Sequence, residues 1–523
     1  MFRMKKSEVL IVFGALVFAF IFKLSLVIAD AVPFNSDEAI VALMARHIIR
    51  GAHPIFFYGQ AYMGSLDAWL LAAAFWLFGE LVISIRVVQS ILYLLYMLTL
   101  WILARRLFSD PVISNFGIWV AAVPTVLVTT YTTATLGGYG EVLILGNLIL
   151  ILGYEVTAGG LRDSRKSWFA LGVVGGIAFW TLGIAGVYLL PVMLVGLWKF
   201  DKNNLPAYIF AAIGFSIGSI PWWYFNFTQS WDALVVLSGT LDTSLTSSSP
   251  LFRISGLLLL GIPTLLGFRF PWSIDFAPWP ILFMFLLFYG GVLIYIVRGI
   301  RHQDLSTKKS SLVLLGLFVL SFLLVFIGTH FGIDSTGRYL LPLNLILVLS
   351  ISLLLAALWR LKHLLGIGLL ICIIALNGFE TVRAVRSVDK ITTQFDPITR
   401  FDNRSDEALI EFLLEHNETR GYTNYWVSYR LAFLSDETII FSPRLPYNED
   451  LSYTTADNRY PIYDEIVTNS PEVAYITSKH PQLDQNIRQR LIFLGVSFFE
   501  IQIGDYHIFF NLSEAIRPED IGL

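Results

Sequence analysis

Long stretches almost free of charge recur along the first 380 residues, and short connections rich in Lys or Arg separate them. Such stretches match the thickness of a bilayer rather than the dimensions of a soluble core. They predict helices at 9–29, 85–104, 112–131, 141–158, 169–183, 184–198, 206–225, 279–297, 311–328, 339–358 and 364–378, which is eleven crossings. Composition agrees: of 523 residues, 56% are hydrophobic and 14% charged, and the mean hydropathy is +0.67. Soluble domains carry about 25% charged residues, so lipid solvates most of this chain. A net charge of −3 argues against a nucleic-acid partner. The single cysteine, Cys372, excludes an intrachain disulfide framework and a Cys-based metal site.

Basic residues set the orientation. Arg3, Lys5 and Lys6 precede the first apolar stretch, which is too long for a cleaved signal peptide and reads as an uncleaved helix starting in the cytoplasm. Arg105 and Arg106, then Arg162, Arg165 and Lys166, then Lys199 and Lys202 mark later connections on the same face. Arg298, Arg301, Lys308 and Lys309, and finally Arg360 and Lys362, continue the series. The opposite loops hold Asp37, Glu38, Glu141, Asp242 and Asp334.

Residues 168–198 are too long for one crossing, and Gly183 and Gly186 at their midpoint suit a tight turn. Residues 66–79 are too short to cross and are placed along the outer surface. So are residues 251–268, where Gly261 and Pro263 are expected to interrupt a helix.

From about Thr392 the chain turns polar. The expected organisation is a transmembrane domain over 1–391 and an extracytoplasmic α/β domain over 392–523. In the latter, helices are predicted at 406–416, capped by Ser405, and at 482–494. Strands are predicted at 421–426, 438–442 and 473–477, with a hairpin over 497–511 turned at Gly504-Asp505. The fold class is thus a polytopic α-helical membrane protein with a small soluble α/β domain, in the plasma membrane.

Candidate chemistry gathers in the first outer loop, VPFNSDEAIVALMARHIIRGAHPIFFYGQAYMGSLDAW. Ser36 is expected to cap a helix whose first turn holds Asp37 and Glu38. Those carboxylates either complement the helix dipole or serve as a general base on an acceptor hydroxyl. Ile40, Leu43, Met44 and Ile48 oppose Arg46, His47 and Arg50, the pattern of a helix lying in the membrane interface. His47 and His53 lack partners at metal-ligand spacing, so no metal and no cofactor is expected. Tyr425, Trp426 and Tyr429 either stack on a sugar or pack a core.

The Asp37-Glu38 pair after a single N-terminal span resembles the first-loop acidic motif of the GT-C superfamily of integral membrane glycosyltransferases. The protein O-mannosyltransferase relatives, which include the lipid A aminoarabinose transferases, are most similar in pattern. YMGSLDAWLLAAAFWLFGE (62–80) and ISIRVVQSILYLLYMLTLWILARRLF (83–108) resemble that family's next segments, with Gln60-Ala61 where it has Pro-Pro. Glu141 in GGYGEVLIL and the GRYLLPL element (337–343) are similar to its later motifs. The resemblance spans roughly 1–380. It implies a polyprenyl-phosphate sugar donor, an acceptor of lipid, polysaccharide or protein, and transfer with inversion. It further implies Asp37 as base, with Glu38 beside it, and Glu141 as a supporting acid. Arg86 and Arg338 would hold the donor phosphate, with Tyr339 next to Arg338; His330, near Asp334 and Arg338, either belongs to the pocket or only faces water. Guanidinium suits an anionic phosphate through two-pronged hydrogen bonds, although an Arg at a helix end also snorkels to headgroups.

A transporter or flippase of lipid-linked sugars is the alternative. It would show charges inside spans and repeated broken helices, whereas here acidic residues collect at one surface. A surface-assembly protein needs far fewer spans. Orientation is directly testable: with Cys372 replaced by Ser, a cysteine at Leu81 should react with an impermeant thiol reagent from outside intact cells. Labelling only after permeabilisation would invert the scheme.

Overall fold

The computed structural model describes residues 5–235, 249–302, 309–334, 337–400 and 402–523. The predicted Asp242 and Lys308, and the side chains of Arg301 and His330, lie outside the described residues. The chain forms two compact units. One comprises residues up to Val32, Ala61–Asp67 and Arg86–Thr393; the other comprises Pro33–Gln60, Ala68–Ile85 and Gln394–Leu523.

The first unit is helical. Among the described residues, seven helices are long and apolar enough to cross a membrane: Lys6–Ile28, Val82–Phe108, Tyr139–Thr157, Trp279–Gly299, Lys309–Gly328, Arg338–Leu361 and His363–Val385. A pair bent by 59°, Lys202–Gly218 with Ile220–Thr228, adds an eighth when taken as one crossing. The last helix runs two turns beyond the expected end at 378.

The other predicted segments are helical but broken. Residues 112–131 split into Pro111–Ala122 and Val126–Tyr131. Pro124 explains this, since it cannot donate to the ladder and drives Val123 to φ −128°, ψ 89°. Residues 165–198 form Arg165–Thr181 and Gly186–Trp198, parted by extended Leu182 and a short turn at Gly183–Ala185. Over Pro250–Leu265 the expected interruption does not occur. A π-turn at Leu257–Gly261 carries the helix past Pro263, whose missing N–H a wider turn accommodates.

Helices Arg165–Thr181 and Leu205–Gly218 pack backbone to backbone. A Cβ on Gly172 or Gly176 would collide with carbonyls of Ala211 and Phe215, and one on Gly214 or Gly218 with those of Phe169 and Val173. Two interleaved glycine pairs four residues apart permit this approach, which hydrophobicity alone cannot drive in lipid. The basic clusters meet at one end of the unit. Arg105 pairs with Glu8 at 3.1 Å, Arg106 with Glu155 at 2.8 Å, Arg360 with Asp110, and Lys199 Nζ donates to Thr157 O at 3.0 Å.

The second unit holds a five-stranded sheet in the order Ile440–Ser442, Arg420–Tyr422, Ala474–Ser478, Tyr506–Phe510, Phe499–Ile503. The first three strands are parallel and the last two antiparallel. Its core joins Leu409, Leu413, Val427, Leu431, Phe441, Ile476 and Ile508. Gly504, at φ +58°, turns the hairpin where expected. Two expectations fail. Ser405 stands before helix Asp406–Glu415 but its hydroxyl caps nothing, because a short 3-10 turn, Asn403–Ser405, runs straight into the helix. The predicted strand over 421–426 stops at Tyr422, and Tyr425–Leu434 is a helix capped by Asn424, whose Oδ1 accepts from Trp426 N at 3.0 Å. A further helix, Pro461–Thr468, was not foreseen.

Helix Ser36–Ile49 belongs to this unit, with Asn35 rather than Ser36 as its cap; Asn35 Oδ1 accepts from Glu38 N at 3.3 Å. Its polar residues do not form one exposed face. Arg46 and His47 are buried along with the apolar residues, where partners from distant segments bond them. Arg46 bonds Glu80 at 2.5 Å, Asp436 at 2.9 Å and Phe433 O at 3.2 Å. His47 bridges Tyr58 and Glu437, each at 2.9 Å. Glu437 also receives Arg50 at 2.7 Å and Tyr463 at 2.8 Å.

Burial raises the Glu437 carboxyl, but hydrogen bonds from His47 and Tyr463 and the charges of His47 and Arg50 outweigh it and hold the group at about 2. The folded value lies below the ordinary 4.5, so this stabilisation is present above pH 4.5 and is lost as pH falls toward 2. Thermal unfolding followed by near-UV circular dichroism should show a falling midpoint across that window. Glu437→Gln should flatten it; an unchanged acid limb in the variant would exclude Glu437 as its source.

Candidate active site

Within the helical unit, an irregular and buried segment, Thr132–Gly138, joins helices Val126–Tyr131 and Tyr139–Thr157. Backbone at such depth needs its carbonyls satisfied by protein. Lys23, fully buried in the first helix, donates to Thr132 O at 2.9 Å, Thr132 Oγ1 at 2.7 Å and Thr133 Oγ1 at 2.9 Å. Arg86 donates to Thr133 O at 3.0 Å and to Val32 O at 2.8 Å. Gly138, at φ +82°, ends the segment against Thr181 and starts the helix that carries Glu141.

The segment also sends Thr135 to Asp67, which accepts from its hydroxyl and from Gln89 Nε2 at 3.2 Å. Asp67 neighbours Glu141, and both are buried. Neither Glu141 carboxylate oxygen meets a donor in hydrogen-bond geometry among the described residues. Arg338, at the head of the tenth predicted span, lies between the rings of Tyr139 and Tyr339, 5.7 and 5.5 Å from their centroids, and its buried Nε has no hydrogen-bond partner among the described residues. Tyr339 packs on Phe331 at 4.7 Å, and Asp334 lies close to Gly337. The backbone of His330 opens the short turn His330–Ile333.

The structure therefore brings Arg338 and Tyr339 to Tyr139 and sets Glu141 beside Asp67, while Arg86 joins Lys23 in holding the loop. Sequence reasoning missed Lys23 and Asp67. The signal for Lys23 was available: a lone lysine inside an otherwise uncharged span is costly unless partnered.

Asp37 and Glu38 stand in the other unit, in the first turn of helix Ser36–Ile49. Glu38 is fully buried and Asp37 half-buried. Tyr425 donates its phenol hydrogen to Asp37 Oδ1 at 2.5 Å. Burial, and after it the charge of Asp37, push the Tyr425 phenol well up, which keeps it a donor. Asp457 and Tyr447 also face the Asp37 charge, and Arg459 lies 5.7 Å from the Tyr425 ring. Tyr429 is buried and orders this turn: its hydroxyl accepts from Arg459 N at 2.6 Å and Tyr460 N at 3.2 Å.

The whole chain superposes on known membrane enzymes. ArnT of Cupriavidus metallidurans, bound to undecaprenyl phosphate, matches with a TM-score of 0.57 and 13% identity over 98% of this chain and 99% of that one. The archaeal oligosaccharyltransferase AglB of Archaeoglobus fulgidus, in complex with an inhibitory peptide and a dolichol-phosphate, matches with a TM-score of 0.53 and 12% identity over 98% and 75%. Both are GT-C membrane glycosyltransferases. This chain has the GT-C fold. At these identities the likeness is one of fold, and neither a family model nor a curated protein matches the sequence.

Proposed function

We propose that this protein is a glycosyltransferase that moves a sugar from a polyprenyl-phosphate donor to an acceptor at the outer face of the plasma membrane, with inversion at the anomeric carbon. The observation that carries the reading is the end-to-end likeness to a GT-C enzyme whose structure holds undecaprenyl phosphate. The carboxylates and guanidinium described above supply the chemistry it needs. The acceptor hydroxyl attacks the anomeric carbon, the bond from that carbon to the phosphate oxygen breaks, and the lipid phosphate leaves with the electron pair. Asp37 takes the acceptor proton as general base, with Glu38 buried beside it. Arg338, with Tyr339, neutralises the departing phosphate, a large term in a site of low dielectric. Glu141 supports as a second acid, Arg86 contributes beside the donor, and His330 belongs to the Arg338 loop. The basic connections on one face and an odd number of crossings from a cytoplasmic start, as the sequence reading has it, would leave the C-terminal domain outside.

The transport reading would claim Lys23 as an intramembrane charge. Its three contacts with Thr132 and Thr133 instead make it a fastener for the loop.

The assay uses purified protein in nanodiscs, undecaprenyl-phosphate-linked hexoses and pentoses, and envelope lipid and glycan extracts as acceptors. Asp37→Asn should insert normally and lose about 10²–10⁴ in turnover; wild-type-like transfer would remove it from the mechanism. Arg338→Ala should weaken donor binding by about 2–5 kcal/mol, the cost of leaving a charged partner unpaired. Arg338→Lys should retain part of the affinity, since charge survives and the planar fork does not. Unchanged donor affinity in Arg338→Ala would identify a snorkelling side chain.

A further inference from the structure

In the C-terminal sheet, the chain leaves strand Arg420–Tyr422, makes Ile440–Ser442 on one side of it, and returns to make Ala474–Ser478 on the other. The connections reverse direction at the first of these strands. In open parallel sheets ligands bind at such a switch point, in the crevice beyond the carboxyl ends of the strands. Tyr425 stands there, three residues past Tyr422. It is fixed by Asn424, which caps its helix and donates to Ser478 Oγ at 2.9 Å across the ends of the two strands. Thr423 Oγ1 donates to Ile476 O at 2.7 Å, tightening the same edge. Tyr447, Asp457 and Arg459 lie in the connection that leaves Ile440–Ser442, beyond the same ends.

Among the described residues, the phenol of Tyr425 makes the only hydrogen bond to the Asp37 side chain, through Oδ1. We infer that Tyr425 is a positioning residue for the base: it pins one oxygen of Asp37 and turns the other toward an acceptor hydroxyl entering the switch-point crevice. This inference rests on the transferase reading. The C-terminal unit thereby sets the aim of the base. A short bond from a neutral phenol to a carboxylate is charge-assisted and fixes its orientation. The other groups facing Asp37 in this unit are Asp457, Tyr447 and, across the Tyr425 ring, Arg459, with Glu38 beside it on its own helix. Burial pushes Asp457 up to about 6, with Arg459 opposing and Asp37 adding to the rise, so its carboxyl band must be separated from that of Asp37.

The test is difference-infrared spectroscopy of the full-length protein in nanodiscs, in an Asp457→Asn background. Asp37 is assigned by the carboxylate band that Asp37→Asn removes. Tyr425→Phe keeps the ring against Trp426 and Tyr429 and should shift that band to the position of a carboxylate without a phenol donor. With it kcat should fall about tenfold, and the donor KM should stay unchanged. Difluorotyrosine at position 425, nearly isosteric and a stronger donor, should shift the band the opposite way. Tyr463→Phe, which loses a hydrogen bond to Glu437 in the same unit, should leave it in place. A band indifferent to both changes at 425 overturns the inference and leaves the transferase reading standing. A wild-type protein that transfers no sugar, with the band shifts intact, overturns the transferase reading instead.

Discussion

Irregular backbone buried among membrane helices must have its polar groups met by the protein, and in this chain that demand falls on Thr132–Gly138. Lys23 and Arg86 meet it from two different helices, converging on Thr132 and Thr133. Removing either donor leaves a buried carbonyl or hydroxyl unpaired, a cost of about 1–3 kcal/mol each. The consequence reaches further than local stability. The segment delivers Thr135 to Asp67 and ends at Gly138, which sets the start of the helix bearing Tyr139 and Glu141. Arg338 and Tyr339 then pack on Tyr139.

The second unit solves a related problem with water available at its surface. Helix Ser36–Ile49 buries Arg46 and His47, and each is paired through several bonds rather than one. Unpairing either would strand a buried polar group, so the cluster specifies one arrangement of the first-loop helix on helix Tyr425–Leu434. That arrangement is what carries Asp37 to the phenol of Tyr425.

Apolar length and basic connections made the membrane helices legible, and a Gly-Asp turn made the C-terminal hairpin legible. Failures have specific physical causes. The first-loop helix looked amphipathic because Arg46 and His47 count as polar in any pattern, while their partners at Glu80, Asp436 and Glu437 are invisible to local periodicity. The strand expected over 421–426 overran Tyr425 and Trp426 because such residues favour strands, but Asn424 caps a helix there and the sheet's crossover requires one. The break at Val123–Thr125 was signalled by Pro124 and overridden by apolar length. Of the candidate site, Asp37, Glu141 and Arg338 came from the family resemblance and stand as proposals. Asp67 looked like an ordinary helix-start acid, and Lys23 was absorbed into an apolar average.

Tyr425 shows why such a site is only half legible. Asp37 lies in the first turn of a helix, where the dipole and the Asn35 cap already favour a carboxylate, so its position alone explains an acidic residue. What sets it apart from a dipole partner is a donor 388 residues away in sequence. No local pattern predicts that donor. The parallel sheet reverses its winding at Arg420–Tyr422, and Tyr425 opens the helix that follows that strand. A tyrosine there can reach as a neutral donor, whereas an arginine would form a full ion pair. The choice of phenol at this position is thus consistent with a carboxylate that must be held in place and still accept a proton.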